Sequence, residues 1–462
     1  MNTSYDVRVW KIDVYESARG SKYNTYYVRW RVGHVSPFKE PFKTRTLAES
    51  FLSGLVAAMS KGEAFDLATG LPVSMVRAES DMGWYEFACA YVDMKWPGAA
   101  GNSRKGVAET LATVTPHMLA TKRGKPSDKT IRRALNGWAF NLSRRDTVEP
   151  SADIAYALVW LKANTRPISV LKEASEVRGV IALAASKLDG KPAAGSVVRR
   201  KRAVLFNVLE YAVELKLLDV NPLTTVKWKV PKPVRAIDKR VAVNPNQAAR
   251  LLLAVLEQEP SGPLLVTFFA VMYYAALRPG EAVNLRKQDL ALPKAGWGEL
   301  LLWESAPETG ASWSETGLRR DKRQLKHRER GDTRPVPCPP PLTALLHEHL
   351  RRHGTDEGGY LFRGVRGTGL LSESTYSRAW RLARRTALTP DEYESPLAWR
   401  AYHLRHACVS TWLNGGVAPT QVAEWAGHSV AVLLQIYAKC LAGQEDMARK
   451  RIEDALGLDT TG

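Results

Sequence analysis

From Pro263 to Leu277 the chain reads Pro-Leu-Leu-Val-Thr-Phe-Phe-Ala-Val-Met-Tyr-Tyr-Ala-Ala-Leu without a charge, and then meets Arg278. A helix with no polar face has to be surrounded by protein or lipid. The run falls short of the roughly 20 residues that span a bilayer, so it reads as the buried centre of a globular domain with an arginine at its exit. A chain of 462 residues has room for about three domains. Lys and Arg total 66 against 47 Asp and Glu, a formal net charge of +19. An excess of that size points to a polyanionic partner, either nucleic acid or an anionic membrane surface. Hydrophobic residues at 45% exclude a wholly disordered chain. Met1-Asn-Thr-Ser-Tyr-Asp lacks the basic-then-apolar order of a signal peptide. Cys89, Cys338, Cys408 and Cys440 lack the spacing of metal ligands or of a disulfide framework. A cytoplasmic protein that handles DNA or RNA is expected, with no membrane association and no metal.

The chain divides into segments. In the first, 1–75, Val7, Val9, Ile12 and Val14 suggest a strand with a register change. Tyr26, Val28, Trp30 and Val32 alternate with Tyr27, Arg29 and Arg31, so one strand face is apolar and the other basic and aromatic. Phe42 and Thr44 mark a third strand, and Thr46-Leu-Ala-Glu49 has the form of a capping box ahead of a helix. Arg29 and Arg31 are candidate DNA contacts, with a solvated sheet face as the plain alternative. The second segment, 80–225, is helical. Trp84, Phe87, Ala88, Tyr91 and Val92 form one apolar stripe, and basic clusters recur at Arg132-Arg133, Arg144-Arg145 and Arg199-Arg200-Lys201-Arg202. The last cluster leads into Val204, Leu205, Val208, Leu209 and Ala212 at helical spacing. Positive charge at a helix start opposes the macrodipole, so these four residues read as phosphate contacts or else as solvated surface.

A linker at 226–240 carries six Lys/Arg, Lys232 among them, against the single acid Asp238. Its prolines keep it extended, either along a duplex backbone or as a simple solubilising strap. The last segment, 241–462, opens with Asn244-Pro245-Asn246-Gln247, an N-cap followed by Pro at the first helical position and Gln at the third. Strand-like stretches at 300–303 and 335–337 flank a polar run, 308–333, and an amphipathic helix lies at 445–456. His349 and His353 share a helix face and read as surface histidines rather than a metal pair.

Three pieces of the last segment belong together: Ala276-Leu277-Arg278-Pro279-Gly280-Glu281, Tyr402-His403-Leu404-Arg405-His406, and Gly427-His428 with Tyr437 nine residues beyond that histidine. In this order they resemble the tyrosine recombinase (phage integrase) family. The family pattern is an arginine in A-L-R-x-G-E, a lysine on a β-hairpin, H-x-x-R, then G-H and a nucleophilic tyrosine. The resemblance implies an arm-type DNA-binding module at 1–75, a helical core-binding domain at 80–225 and a catalytic domain with a C-terminal docking tail at 241–462. The expected fold class is mainly α with α+β parts: a three-stranded sheet plus helix, a helical domain, and a mixed α/β catalytic domain. The implied partners are double-stranded DNA attachment sites and further copies of the chain, as a homotetramer on DNA. An excisionase and a host DNA-bending protein stay open as accessory partners.

Such an enzyme cuts and reseals DNA without ATP, metal or any cofactor. A tyrosine attacks phosphorus and keeps the phosphoester energy as a 3′-phosphotyrosine. Guanidinium groups suit the trigonal-bipyramidal transition state because they are planar, bidentate and always protonated. By resemblance, Arg278 and Arg405 are the phosphate clamp, His428 a hydrogen-bond donor to the same phosphate, and Tyr437 the nucleophile. Lys326, ahead of Arg334-Pro-Val-Pro337, takes the place of the general acid that protonates the leaving 5′-oxygen, with Lys322 as competitor. One position departs from the pattern: three residues before Arg405 stands Tyr402, where the family most often has histidine. A phenol of pKa about 10 is a poor base at neutral pH. Tyr402 is therefore expected to donate to the scissile phosphate or to position Tyr437, with general-base help weak or drawn from water. Glu281 orients Arg278 or makes a surface ion pair, and His406 packs or buttresses rather than reacts. A type IB topoisomerase-like enzyme and a catalytically silent DNA-binding regulator are the alternatives.

Overall fold

Three strands at the N-terminus are organised by the middle one. In the computed structural model, which describes residues 2–16, 24–75, 82–229, 236–325, 331–364, 369–437 and 445–457, strand β3 (Thr25–Val32) pairs antiparallel on one edge with β1 (Val7–Val9) and β2 (Asp13–Tyr15). Val7 faces Val32, whereas Asp13 faces Tyr27, so one extra residue sits between the two short strands and the register shifts as the sequence suggested. On the other edge lies β4 (Phe38–Phe42). Val28, Trp30 and Val32 are buried against α1 (Arg45–Ser60), and Arg29 and Arg31 face outward. The helix cap differs from expectation. Thr44 accepts from the Leu47 amide at 3.3 Å, and Glu49 pairs with Arg45 instead of reaching back to Thr46. The third strand ends at Phe42, so the chain turns into the helix two residues earlier.

The helical region holds α2 (Trp84–Lys95), α3 (Gly101–Val114), α4 (Asp128–Ala134), α5 (Ala152–Ala163), α6 (Ala174–Ala184) and α7 (Gly195–Glu214). All five residues of the stripe on α2 are buried, and they meet Leu111 of α3 and Leu205 and Leu209 of α7 in one core. Each large side chain so removed from water contributes about 1.5–3 kcal/mol.

In the last region the box at Asn244 forms as its sequence requires. Its side chain accepts from the Gln247 amide at 2.9 Å, and the Gln247 side chain accepts from the Asn244 amide at 3.0 Å. Helix α8 (Pro245–Leu256) packs on α9 (Gly262–Tyr274), the uncharged run, whose residues from Leu265 to Tyr273 are all buried. Beside α9 lies a small antiparallel sheet of β5 (Leu290–Ala291), β6 (Gly298–Leu302) and β7 (Arg334–Cys338), with Val336 opposite Leu300. Helices α10 (Pro279–Asn284), α11 (Pro340–His353) and α12 (Glu373–Ala387) complete this layer. His349, expected at the surface, is buried because α11 packs on α9; its Nε2 meets the Leu361 carbonyl at 3.0 Å. A second, smaller core joins α13 (His403–Asn414), α14 (Pro419–Ala426) and α15 (Val430–Tyr437). Helix α16 (Glu445–Leu456) follows, with Ile452 and Leu456 exposed.

Between β6 and β7 the polar run makes an excursion that reaches the helical region. Trp313 packs against Trp96 with ring centroids 6.0 Å apart. Arg104 is 3% exposed and donates to the carbonyls of Trp96 and Trp313 at 3.0 and 3.3 Å and to Glu315 at 2.6 Å. Gly101 lets the two strips of backbone approach, since a Cβ there would lie 2.8 Å from the Trp313 carbonyl oxygen.

Candidate active site

The exit of α9 is a strained turn. Ala276 has φ of +52°, a conformation that costs an L-residue roughly 1–2 kcal/mol, and its carbonyl receives a hydrogen bond from Arg405. Arg278 follows at the entry to α10. Two residues into that helix Glu281 accepts from the Arg278 amide at 2.8 Å and from Arg278 Nη1 at 2.7 Å. From β7, Arg334 grips the same carboxylate with both terminal nitrogens, at 3.0 and 2.7 Å. Glu281 and Arg334 are both buried, so the surface ion pair considered from sequence is ruled out. Burial works to raise the Glu281 pKa, but Arg334 and Arg278 outweigh it and hold the carboxyl below the ordinary carboxylate range. Gly427 ends α14 with φ of +62°, and its carbonyl accepts from Arg278 Nη2 at 2.7 Å. A Cβ there would stand 2.2 Å from Arg334 Nη1. Glycine is required on both counts.

Arg405, on α13, is fully buried. It donates to the carbonyls of Ala276 and Ala426, and its Nη2 lies 3.0 Å from His428 Nε2. A guanidinium only donates, so Nε2 of His428 accepts and the ring proton resides on Nδ1. That Nδ1 and the Nε of Arg405 are buried without a hydrogen-bond partner. Buried donors left unpaired are rare in folded proteins, and these two belong to residues expected to meet a phosphate. Burial, together with Arg405 and Arg278, pushes His428 down to about 3, so the ring is neutral. Three guanidiniums (Arg278, Arg334, Arg405) here surround one carboxylate, which leaves an uncompensated positive charge where a phosphodiester would gain negative charge on being attacked.

Tyr437 ends α15 with its side chain buried and its hydroxyl 2.8 Å from His406 Nδ1. Its ring centroid is 6.3 Å from that of His428. Arg278, Arg405, His428 and Tyr437 thus come together in one cluster although they are far apart in sequence. Tyr402 joins them: its ring meets that of His406 edge-on at 5.0 Å, and it lies near enough to Arg278 to favour the charged guanidinium. Lys326 lies outside the described residues. Lys322 sits with Nζ 5.0 Å from the centre of the Tyr360 ring.

The candidate DNA contacts are placed less uniformly. Arg29 and Arg31 are exposed, with Arg29 paired to Asp13 at 2.6 Å. Strand register adds two cations that the sequence reading missed: Arg8 stands opposite Arg31 and Lys39 opposite Arg29. Like charges facing across a sheet repel, and the alternation within one strand gave no sign of which partners would come beside it. On α7, Arg199 and Arg200 are exposed, Lys201 is buried, and Arg202 lies 5.9 Å from the Trp228 ring centre. Lys201 is thereby withdrawn from any surface contact, because it falls on the face of α7 that packs into the core. Lys232 lies outside the described residues. A groove lined by Lys105, Lys129, Arg132, Arg133, Arg144 and Trp313 runs between the helical region and the excursion.

Residues 242–443 match the phage integrase family, and this stretch contains every group of the cluster. The chain carries a phage integrase family domain, and its enzyme class is that of the tyrosine-type site-specific recombinases. Among solved structures, the Tn1549 transposon integrase in complex with transposon right end DNA superposes with a TM-score of 0.50 at 14% identity, covering 81% of this chain and 99% of that one. The lambda integrase tetramer bound to a Holliday junction gives a TM-score of 0.46 at 13% identity, over 91% of this chain and 97% of that one. The XerH recombinase bound to palindromic difH gives 0.41 at 12% identity, over 77% and 96%. The first of these likenesses is one of fold. No curated protein sequence matches the chain.

Proposed function

We propose that the protein cuts and rejoins duplex DNA at specific sites through a 3′-phosphotyrosyl intermediate on Tyr437, integrating or excising a mobile element. The observation that carries this reading is the convergence of Tyr437 and His428 with the buried Arg405 and the half-buried Arg278, including two buried donors with no acceptor. Arg278 and Arg405 clamp the phosphate, and His428 donates through Nδ1. Lys326 protonates the leaving 5′-oxygen; the engagement of Lys322 with Tyr360 favours Lys326 for that role. Tyr402, in ring contact with His406, donates to the phosphate or positions Tyr437.

Residues 1–75 serve as the arm-type module, with Arg8, Arg29, Arg31 and Lys39 toward DNA. Residues 80–225 serve as the core-binding domain, using Arg199, Arg200 and the basic groove. The linker 226–240, Lys232 included, crosses the duplex, and the catalytic domain closes on it from 241 onward. The exposed Ile452 and Leu456 of α16 supply an apolar face for a neighbouring copy, consistent with a tetramer on two duplexes. Cytoplasmic location and recruitment of an excisionase or a DNA-bending protein belong to the same proposal; among the described residues no helix is long and apolar enough to cross a membrane.

The test is a nicked suicide duplex built on the sequence that the full-length protein selects from random DNA. A covalent adduct should form with the wild type and vanish with Tyr437→Phe. Relaxation of a supercoiled plasmid without joining of two sites would shift the reading to a topoisomerase. No adduct at all would leave a silent DNA-binding regulator.

A further inference from the structure

The cluster has Tyr402 where the resembled family most often has histidine, yet another histidine, His406, touches Tyr437. Tyr402 is already helical, with φ of −56° and ψ of −23°, so position 406 lies one turn further along the same face of α13. The two rings are in contact, 5.0 Å between centroids. An imidazole one turn on therefore occupies space beside the one that position 402 would fill. It meets Tyr437 directly, with Nδ1 2.8 Å from the phenolic oxygen and the rings edge-on at 5.7 Å. The neighbouring histidines are placed otherwise. His428 uses Nε2 on Arg405, and His403 has Nδ1 buried without a partner while its ring sits 5.8 Å from that of His406.

We propose that His406 is a catalytic residue, the proton acceptor for Tyr437 in strand cleavage and the donor that returns the proton on rejoining. This rests on the reading of Tyr437 as nucleophile. In the forward step the phenolic O–H bond breaks and its proton passes to Nδ1 as the oxygen bonds to phosphorus. The bond from phosphorus to the 5′-oxygen breaks, and that oxygen takes a proton from the hairpin lysine. In the reverse step the 5′-hydroxyl returns its proton to the hairpin lysine as it attacks phosphorus, the bond from phosphorus to the phenolic oxygen breaks, and the departing phenolate regains its proton from Nδ1.

Burial, with His403 and Arg405 nearby, holds His406 down to about 3, which keeps the ring in the neutral form able to accept. A phosphodiester seated on Arg405 and Arg278 offsets part of the positive charge that depresses it, so the ring becomes more basic as substrate arrives. An ordinary packing pair of buried His and Tyr would keep its hydrogen bond but would not care how acidic the phenol is.

That difference defines the experiment, run on the suicide duplex with the full chain. His406→Gln keeps a hydrogen-bond acceptor of similar size but cannot take a proton; His406→Ala opens a space for added imidazole. Both should bind the duplex like the wild type and form adduct roughly 10²–10⁴-fold more slowly. Imidazole should restore part of the His406→Ala rate, and difluorotyrosine at 437, a more acidic phenol, should restore part of the His406→Gln rate. A His406→Gln rate within a few-fold of wild type would overturn the proposal, as would a slow variant that neither measure improves. If the wild type itself forms no Tyr437-dependent adduct, the broader reading of the site fails instead.

Discussion

The backbone N–H of Ile237, in the linker between the helical and catalytic regions, donates to the carbonyl of Ile436 at 3.0 Å, one residue before Tyr437. Ile237 also packs on the small core that contains Tyr437. The strap that joins the two regions is therefore fastened to the helix that carries Tyr437. Ile237→Pro removes the donor, and a hydrogen bond of this kind contributes about 1 kcal/mol. Helix α15 should then open about five times more often. Hydrogen exchange across 430–437 reads this directly, and unchanged protection would mean the contact restrains nothing.

Among the described residues, the carboxylate of Glu281 is the one acidic group paired with both Arg278 and Arg334. Removing it as Glu281→Ala leaves two guanidiniums facing each other in a buried place, and breaking a pair of this kind costs about 3–5 kcal/mol. Chemical denaturation should record that loss, together with loss of covalent adduct. A change within about 0.5 kcal/mol, the range of an ordinary surface substitution, would show that the carboxylate is dispensable.

Four histidines give the fold an acid limit. Burial, aided by neighbouring charge, lowers His406 and His428 to about 3 and His349 and His403 to about 4. The unfolded chain binds these protons near pH 6.5 and the folded chain does not. The stability they contribute is thus complete above about pH 6.5 and is lost progressively as pH falls toward the folded values. Denaturant midpoints measured from pH 7.5 down to 4.5 should decline, with His349→Asn flattening part of the slope. A midpoint that holds constant over that range would contradict the burial of these rings.

On the N-terminal sheet, Arg8 and Arg31 face each other across the strands. Replacing both by Gln should lower the slope of log affinity against log salt by about 2 for DNA carrying the arm-type site, in proportion to the phosphates released. Adduct formation on the core duplex alone should not change. An unaltered salt slope would return this face to the solvated-surface reading.

Sequence periodicity was enough for the elements that bury one clear face. The alternation in β3, the stripe on α2 and the uncharged run of α9 all read out directly, because side-chain period fixes which face meets the core. It was less reliable where two signals compete within a few residues. Thr44 and Thr46 are both plausible caps, and only the point at which β4 ends selects between them. His349 looked exposed because one helix face says nothing about what packs on it from elsewhere.

For the site, the chain by itself offered the candidates through the motifs that carry its resemblance: two arginines, a histidine and a tyrosine in a fixed order. Tertiary structure decided the relationships. That Arg334 shares Glu281 with Arg278, that Lys201 turns inward, and that His406 rather than position 402 meets the phenol depend on side chains brought together across long stretches of chain. Hydrogen bonding and burial act over a few ångströms of space, and a linear order of residues carries no record of that distance.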